Sequence, residues 1–192
     1  MGVKSLKEFN ISLMGKWVWR VLEERDGLWS LVLRAKYGEE CGRVRFAEGV
    51  GSIWRRHLNQ IRLGIGLADA TWLVDNIVRQ VGDGSTTLFW VDPWLGDIPL
   101  ATSYARLFEL SKNKQATVLE MYTLGWGVGG EVWKWRLFSW EELLMGECVE
   151  RLSVLVLQVG LVDRWVWKLH PSNKYTVQSA YSYWGFSSFS VA

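Results

Sequence analysis

The sequence predicts an α+β fold, mainly helical, with two short β-hairpins and a Trp-rich core. Three observations point there. Apolar residues recur at three- and four-residue spacing in several segments, as in amphipathic helices. Two stretches, 77–91 and 164–177, instead carry β-prone runs around turn residues. Finally, 14 of the 192 residues are Trp, and each aromatic ring can bury roughly 150–250 Å². Hydrophobic residues make up 49% and charged residues 22% of the chain, ordinary values for a globular protein that exclude disorder over most of its length.

The first predicted helix is 10–24, where Ile11, Met14, Val18, Val21 and Leu22 share a face before Asp26-Gly27. A second covers 28–37, with Leu28, Leu31, Val32 and Ala35 on one side and Gly38 as its stop. Residues 39–51 hold three Gly and little periodicity, so they read as a loop. Ser52 can cap a third helix, 52–65, whose stripe is Trp54, Leu58, Ile61 and Ile65. The first hairpin joins Ile77–Val81 to Thr86–Val91 through Gly82-Asp83-Gly84-Ser85, because Asp-Gly between β-prone runs favours a tight turn. Pro93 lacks a ladder donor and ends that strand.

Short helices are expected at 102–111 and 117–124, the second capped by Thr117. The run Gly125–Gly130 has four Gly in six residues; no Lys-Ser/Thr follows, so it reads as a turn and not as a phosphate loop. Ser139-Trp140-Glu141-Glu142 has the capping-box pattern and opens a long helix with Trp140, Leu144, Cys148, Leu152, Leu155 and Val159 on one side, stopped by Gly160. Arg164–Leu169 alternates as a strand, His170-Pro171-Ser172-Asn173 turns, and Lys174–Val177 returns as its partner. A last helix covers 178–184.

Function classes narrow next. The longest uncharged apolar run, Leu152–Val162, has eleven residues, against about 20 for a membrane span. Met1-Gly2-Val3-Lys4 leads into a charged amphipathic stretch unlike a signal peptide. An intracellular protein of the nucleus or cytoplasm, with no membrane partner, is the expectation. Cys41, Cys148, His57 and His170 stand apart from any metal-ligand spacing, so neither a metal nor a cofactor is expected. Asp83, Asp92 and Asp97 lie close in sequence, but Asp in a Gly-Asp-Gly turn and Asp before Pro are ordinary turn residues. No catalytic residue is assigned.

Net charge is +2, yet Arg43, Arg45, Arg55, Arg56 and Arg62 face only Glu48 in the window 43–62. With Trp54 for stacking, these Arg are the candidate contacts for RNA or DNA, through weak, non-specific binding to phosphate. Three Trp-x-Trp pairs occur: Trp17/Trp19, Trp133/Trp135 and Trp165/Trp167. On a strand such a pair shares a face; on a helix its rings point about 200° apart and one is exposed. Packing into a core is the expected fate of most Trp. An exposed Trp165/Trp167 row would instead suit a free-standing module for carbohydrate or peptide.

The order of several blocks carries a resemblance. Asn10-Ile11-Ser12-Leu13-Met14-Gly15-Lys16-Trp17-Val18-Trp19-Arg20 comes first. Gly82-Asp83-Gly84 with Phe89-Trp90-Val91-Asp92-Pro93-Trp94-Leu95-Gly96 follows. Leu107-Phe108-Glu109-Leu110 and Leu124-Gly125-Trp126 come next. The series closes with Asp163-Arg164-Trp165-Val166-Trp167 and Tyr175-Thr176-Val177-Gln178-Ser179-Ala180-Tyr181. Over about residues 8–184 this series resembles plant non-LTR (LINE-type) retrotransposon reverse-transcriptase polyproteins, in the segment between polymerase core and C-terminal zinc-binding domain. The resemblance implies a non-catalytic connector, flanked by polymerase and zinc-binding domains, within a parent RNA-directed DNA polymerase. It marks Gly82, Gly84, Trp90, Asp92, Trp94, Trp165, Tyr175 and Tyr181 as structural landmarks. Neither a paired-Asp polymerase motif nor a Cys/His cluster occurs in the chain, so no catalytic or metal residue carries over. Lys174 stands where the family has Gly, which predicts a turn rebuilt around Asn173. The expected organisation is a helical segment with the basic patch at 1–70, hairpin and turn at 71–100, a helical segment ending in hairpin plus helix at 101–184, and a tail at 185–192.

Overall fold

The computed structural model describes residues 6–24, 27–37, 39–40, 43–44 and 72–187. Their elements run in the order α1 (Leu6–Glu23), α2 (Leu28–Tyr37), β1 (Glu39–Glu40), β2 (Arg43–Val44), α3 (Trp72–Asp75), β3 (Ile77–Gln80), α4 (Leu100–Ser103), α5 (Ala105–Leu110), α6 (Val118–Thr123), a 3₁₀ turn (Gly125–Gly127), α7 (Ser139–Leu152), β4 (Arg164–Trp167) and α8 (Val177–Ser187). The class is α+β and mainly helical, as the apolar periodicity requires. The helix expected at 52–65, and with it Trp54, Arg55, Arg56 and Arg62, lies outside the described residues, as does Arg45.

The strand pairing differs from the sequence expectation. β3 forms where expected but is the hydrogen-bonded neighbour of β4, not of 86–91. The flanking bonds Lys168 N–H to Asn76 C=O (3.0 Å) and Asp83 N–H to Leu161 C=O (2.7 Å) run in antiparallel sense. The Asp-Gly signal failed because residues 82–87 are wrapped around a distant carboxylate, described below. Residues 89–91 form a turn closed by Asp92, whose Oδ2 accepts from Leu88 N–H at 2.8 Å. The second hairpin is also only half formed. Asn173 takes φ +58° and its carbonyl accepts from Trp167 N–H at 3.0 Å, so the turn is rebuilt around Asn173. Thr176 then caps α8, its Oγ1 accepting from Ser179 N–H at 3.1 Å, which removes 174–177 from any ladder. Where a loop was expected, β1 and β2 pair antiparallel, Glu39 opposite Val44 and Glu40 opposite Arg43.

Contacts gather the chain into two compact units: residues 1–77 with 165–192, and residues 78–164. The core of the first holds Ile11, Val18, Trp19, Trp72, Leu73, Ile77, Trp165, Trp167, Tyr175 and Ala180. Trp72 stands edge-on to Trp167 (5.9 Å, 89°), and Trp167 lies 4.7 Å from Tyr175. Within α1, Trp19 is fully buried while Trp17 is 37% exposed, the split that helical geometry demands of residues two apart. α2 departs from its stripe: Leu28, Leu31 and Val32 are exposed, and Ser30 and Leu33 are buried instead.

The second unit packs Phe89, Trp90, Leu100, Tyr104, Leu107, Leu110, Val118, Met121, Trp133, Cys148 and Leu152 together. At about 25 cal/mol per Å², a ring burying roughly 150–250 Å² contributes on the order of 4–6 kcal/mol against an extended chain. Trp90 and its neighbours therefore dominate this core. Tyr104, with φ −126° and ψ 52°, breaks the expected 102–111 helix into α4 and α5. α6 has the full capping box: Glu120 N–H donates to Thr117 Oγ1 and Thr117 N–H to Glu120 Oε2. α7 starts one residue early, with Phe138 at the cap and its N–H donating to Glu141 Oε2 at 2.9 Å. It ends at Leu152, short of Val159, which is fully exposed, and Trp140 in its first turn is half exposed, so neither lies on the apolar side assigned to them.

Candidate functional site: a buried carboxylate inside the Gly82–Thr87 loop

Within the second unit, the best-built polar site is Asp163, just before β4 and 5% exposed. Its Oδ1 accepts from the backbone N–H of Gly82 (2.7 Å) and Gly84 (2.9 Å). Its Oδ2 accepts from Thr86 N–H (2.9 Å), Thr86 Oγ1 (3.1 Å) and Thr87 Oγ1 (2.7 Å). Five donors from one six-residue loop thus converge on one carboxylate. Arg79, also 5% exposed, stands behind the threonines, its Nη2 donating to Thr86 Oγ1 (2.7 Å) and Nε to Thr87 Oγ1 (3.2 Å). Arg79 can only donate, so both hydroxyls accept from it and turn their protons toward Asp163.

The loop reaches this shape through local features. Gly82 lies so close to Leu161 that a Cβ would run into the Leu161 carbonyl. Leu161 in turn is held there by the Asp83 N–H, and Gly82 C=O accepts from Gln158 N–H at 2.8 Å. Gly84 has φ +75°, which helps turn alternate amides inward. Asp83 points away and bonds Ser85 N–H and Oγ at its own Oδ1. Burial alone would raise the Asp163 pKa, but the bonds from Gly82, Thr87, Gly84 and Thr86 outweigh it and hold the group below the ordinary carboxylate value. A carboxylate so saturated is an organising ion, not a proton acceptor.

The landmarks fall into the two units. In the second, Gly82 and Gly84 belong to the loop, and Trp90 Nε1 donates to Ser111 Oγ at 3.2 Å. Trp94 Nε1 donates to Phe89 C=O at 2.8 Å, and Phe89 packs on both Trp90 (4.8 Å) and Trp94 (5.8 Å). Asp92 is buried and closes the Leu88 turn. In the first unit, Tyr175 donates its hydroxyl to Ser12 C=O at 2.7 Å, and Tyr181 stands edge-on to Phe9 at 6.2 Å. Trp165 and Trp167 do share a face, but it is the core face, at 8% and 0% exposure. That corrects the exposed ring row a carbohydrate or peptide module requires.

Arg43 lies in β2, its backbone paired with Glu40. Among the described residues, no three His, Cys, Asp or Glu are placed to hold a metal ion. Cys148 is buried, and its thiol is pushed up to about 11 by that burial, Arg151 opposing, so it is not a nucleophile at neutral pH. Among the described residues no helix is long and apolar enough to cross a membrane. Sequence reasoning missed Asp163 and Arg79 as a site. Asp163 stood in the last resemblance block, but its partners lie 76 to 81 residues upstream, beyond any local signal.

Comparison with known proteins adds one relation. No family model matches the chain, and no solved structure matches it. Over 190 aligned residues, covering 94% of this chain, it is 30% identical to an Arabidopsis thaliana protein named "Putative ribonuclease H protein". The chain spans 28% of that relative's length, so it is similar, almost end to end, to one portion of a much longer plant protein.

Proposed function

We propose that the chain is a connector segment of a retrotransposon reverse-transcriptase polyprotein, joining a polymerase core to a zinc-binding domain and carrying no chemistry of its own. The parent activity on this reading is RNA-directed DNA polymerase, exercised in the nucleus or cytoplasm. The observation that carries it is the match of 94% of this chain to 28% of a plant relative named "Putative ribonuclease H protein", which is several times longer. The ordered landmark blocks support it. Gly82 and Gly84 build the Asp163 loop, Trp90 and Trp94 flank Phe89, and Trp165 and Tyr175 lie in a core, which are positions of packing and not of reaction. Weak, sequence-tolerant contact with RNA or DNA phosphates by Arg43, Arg45, Arg55, Arg56 and Arg62, with Trp54 stacking, completes the proposal.

Sequencing the full transcript that encodes the chain tests this. The expected result is one continuous frame with a paired-Asp polymerase motif upstream and a Cys/His-rich cluster downstream. A frame that holds neither would overturn it.

A further inference from the structure

We propose that residues 82–87 form a carboxylate-binding nest whose resident ligand is the protein's own Asp163. The same nest takes up a free small carboxylate, such as formate, once the Asp163 carboxyl group is removed.

The donor set argues for this. Every group aimed at the Asp163 oxygens is a donor: two backbone amides at Oδ1, one amide and two hydroxyls at Oδ2. Converging amides of a tight loop are the general chemistry of anion nests, and here Gly84, at φ +75°, contributes to that curvature. The donors divide between two separate oxygens, which matches a planar two-oxygen anion. Arg79 supplies positive charge and fixes the hydroxyl direction through Thr86 and Thr87, so that part of the donor array keeps an anchor other than Asp163, while the amides take their direction from the anion they bind. Asp163 is buried, and its side chain comes from the far end of the unit's chain, so its carboxylate acts as a tethered ligand. Replacing Asp163 by Ala keeps the Cβ and removes a group of the size of formate. Five donors are then left without an anion, and formate restores one.

The test is urea unfolding of the full chain, followed by Trp fluorescence, in sodium formate and in sodium chloride at equal ionic strength. For Asp163→Ala, formate at about 0.3 M should raise the folding equilibrium constant about fourfold, as for a site with a Kd of about 0.1 M. Wild type, whose nest is filled, should unfold at the same urea concentration in both salts. Leu107→Ala, which removes a side chain buried in the same unit, should also show no difference. Equal midpoints for Asp163→Ala in the two salts would overturn the proposal, as would an equal gain for Leu107→Ala. If Asp163→Ala is unfolded in chloride without urea, sucrose added equally to both salts brings its folding transition into range; the same fourfold gain in formate is expected there, and equal folded fractions in the two salts overturn the proposal.

Discussion

Replacing Asp163 by Asn keeps shape and volume while exchanging one acceptor oxygen for a donor NH₂. If the amide oxygen takes the place of Oδ1, Gly82 and Gly84 keep their partner, but each loses a charge-assisted bond for a neutral one, about 1 kcal/mol apiece. The NH₂ then faces Thr86 N–H, donor against donor, where the carboxylate accepted at 2.9 Å. Leaving that buried amide unpaired costs about 1–3 kcal/mol. Thr86 and Thr87 hydroxyls can rotate to accept from the NH₂, yet both already accept from Arg79, so their protons lose their target. The other amide orientation orphans two backbone N–H groups instead of one and is worse. The expected destabilisation is about 4 kcal/mol, which lowers the urea midpoint by about 2 M for a slope of about 2 kcal/mol per M. Fluorescence-monitored unfolding at neutral pH measures it. A loss under about 1 kcal/mol would refute the claim that the carboxylate organises the loop.

The same site sets an acid limit. Because the folded Asp163 pKa lies below its ordinary value, the unfolded chain binds more protons between the two, and stability rises with pH there. This contribution is present above about pH 4 and disappears as pH falls through the folded value. Wild type should therefore lose its advantage over Asp163→Asn on acidification, and a constant gap down to pH 2 would contradict the assignment. Gly82→Ala places a Cβ against the fixed Leu161 carbonyl and should cost about 1–3 kcal/mol in the same unfolding assay; a neutral substitution would show that the approach is loose. On the nucleic-acid side, a titration of the full chain with single-stranded RNA should give constants of about 10⁻⁴–10⁻⁶ M at physiological salt. The Arg55→Ala, Arg56→Ala double variant should flatten the salt slope by about two units if both contact phosphate. Nanomolar, salt-insensitive binding would reject that picture.

Sequence periodicity located most described helices because it records which residues must leave water, and α1, α2 and α6 lie within a few residues of their sequence boundaries. What misled were the local turn signals. Asp83-Gly84 promised a hairpin, but the energy of five donors reaching Asp163 outweighs a two-residue turn preference, and no local window contains both partners. Lys174–Val177 read as a strand, yet Thr176 gains more as the cap of α8. Apolar spacing alone extends the helix from Ser139 to Val159, although residues 153–162 hold no charge and four Val, whose stiff side chains disfavour helix, and the chain after Leu152 is turn and irregular structure. In α2 the i, i+3, i+4 spacing is genuine, but Leu28, Leu31 and Val32 are exposed; sequence cannot say which of two apolar sides a short helix buries. Trp165 and Trp167 belong to the core because a strand puts them on one face, and that face packs with Trp72 and Tyr175, whereas Trp17, Trp135 and Trp140 are exposed. The basic patch was legible only as charge, and its geometry lies outside the described residues.

The connector reading depends on this chain lacking chemistry, although its relative is named for ribonuclease H. The direct measurement is cleavage of an RNA–DNA hybrid by the purified full chain with Mg²⁺ or Mn²⁺. Asp163 is saturated by its loop, Asp92 is spent on the Leu88 turn, and Asp83 bonds Ser85, so the account predicts no turnover above the protein-free rate. Metal-dependent cleavage that vanishes in Asp83→Asn or Asp97→Asn, variants at carboxylates outside both cores, would contradict it.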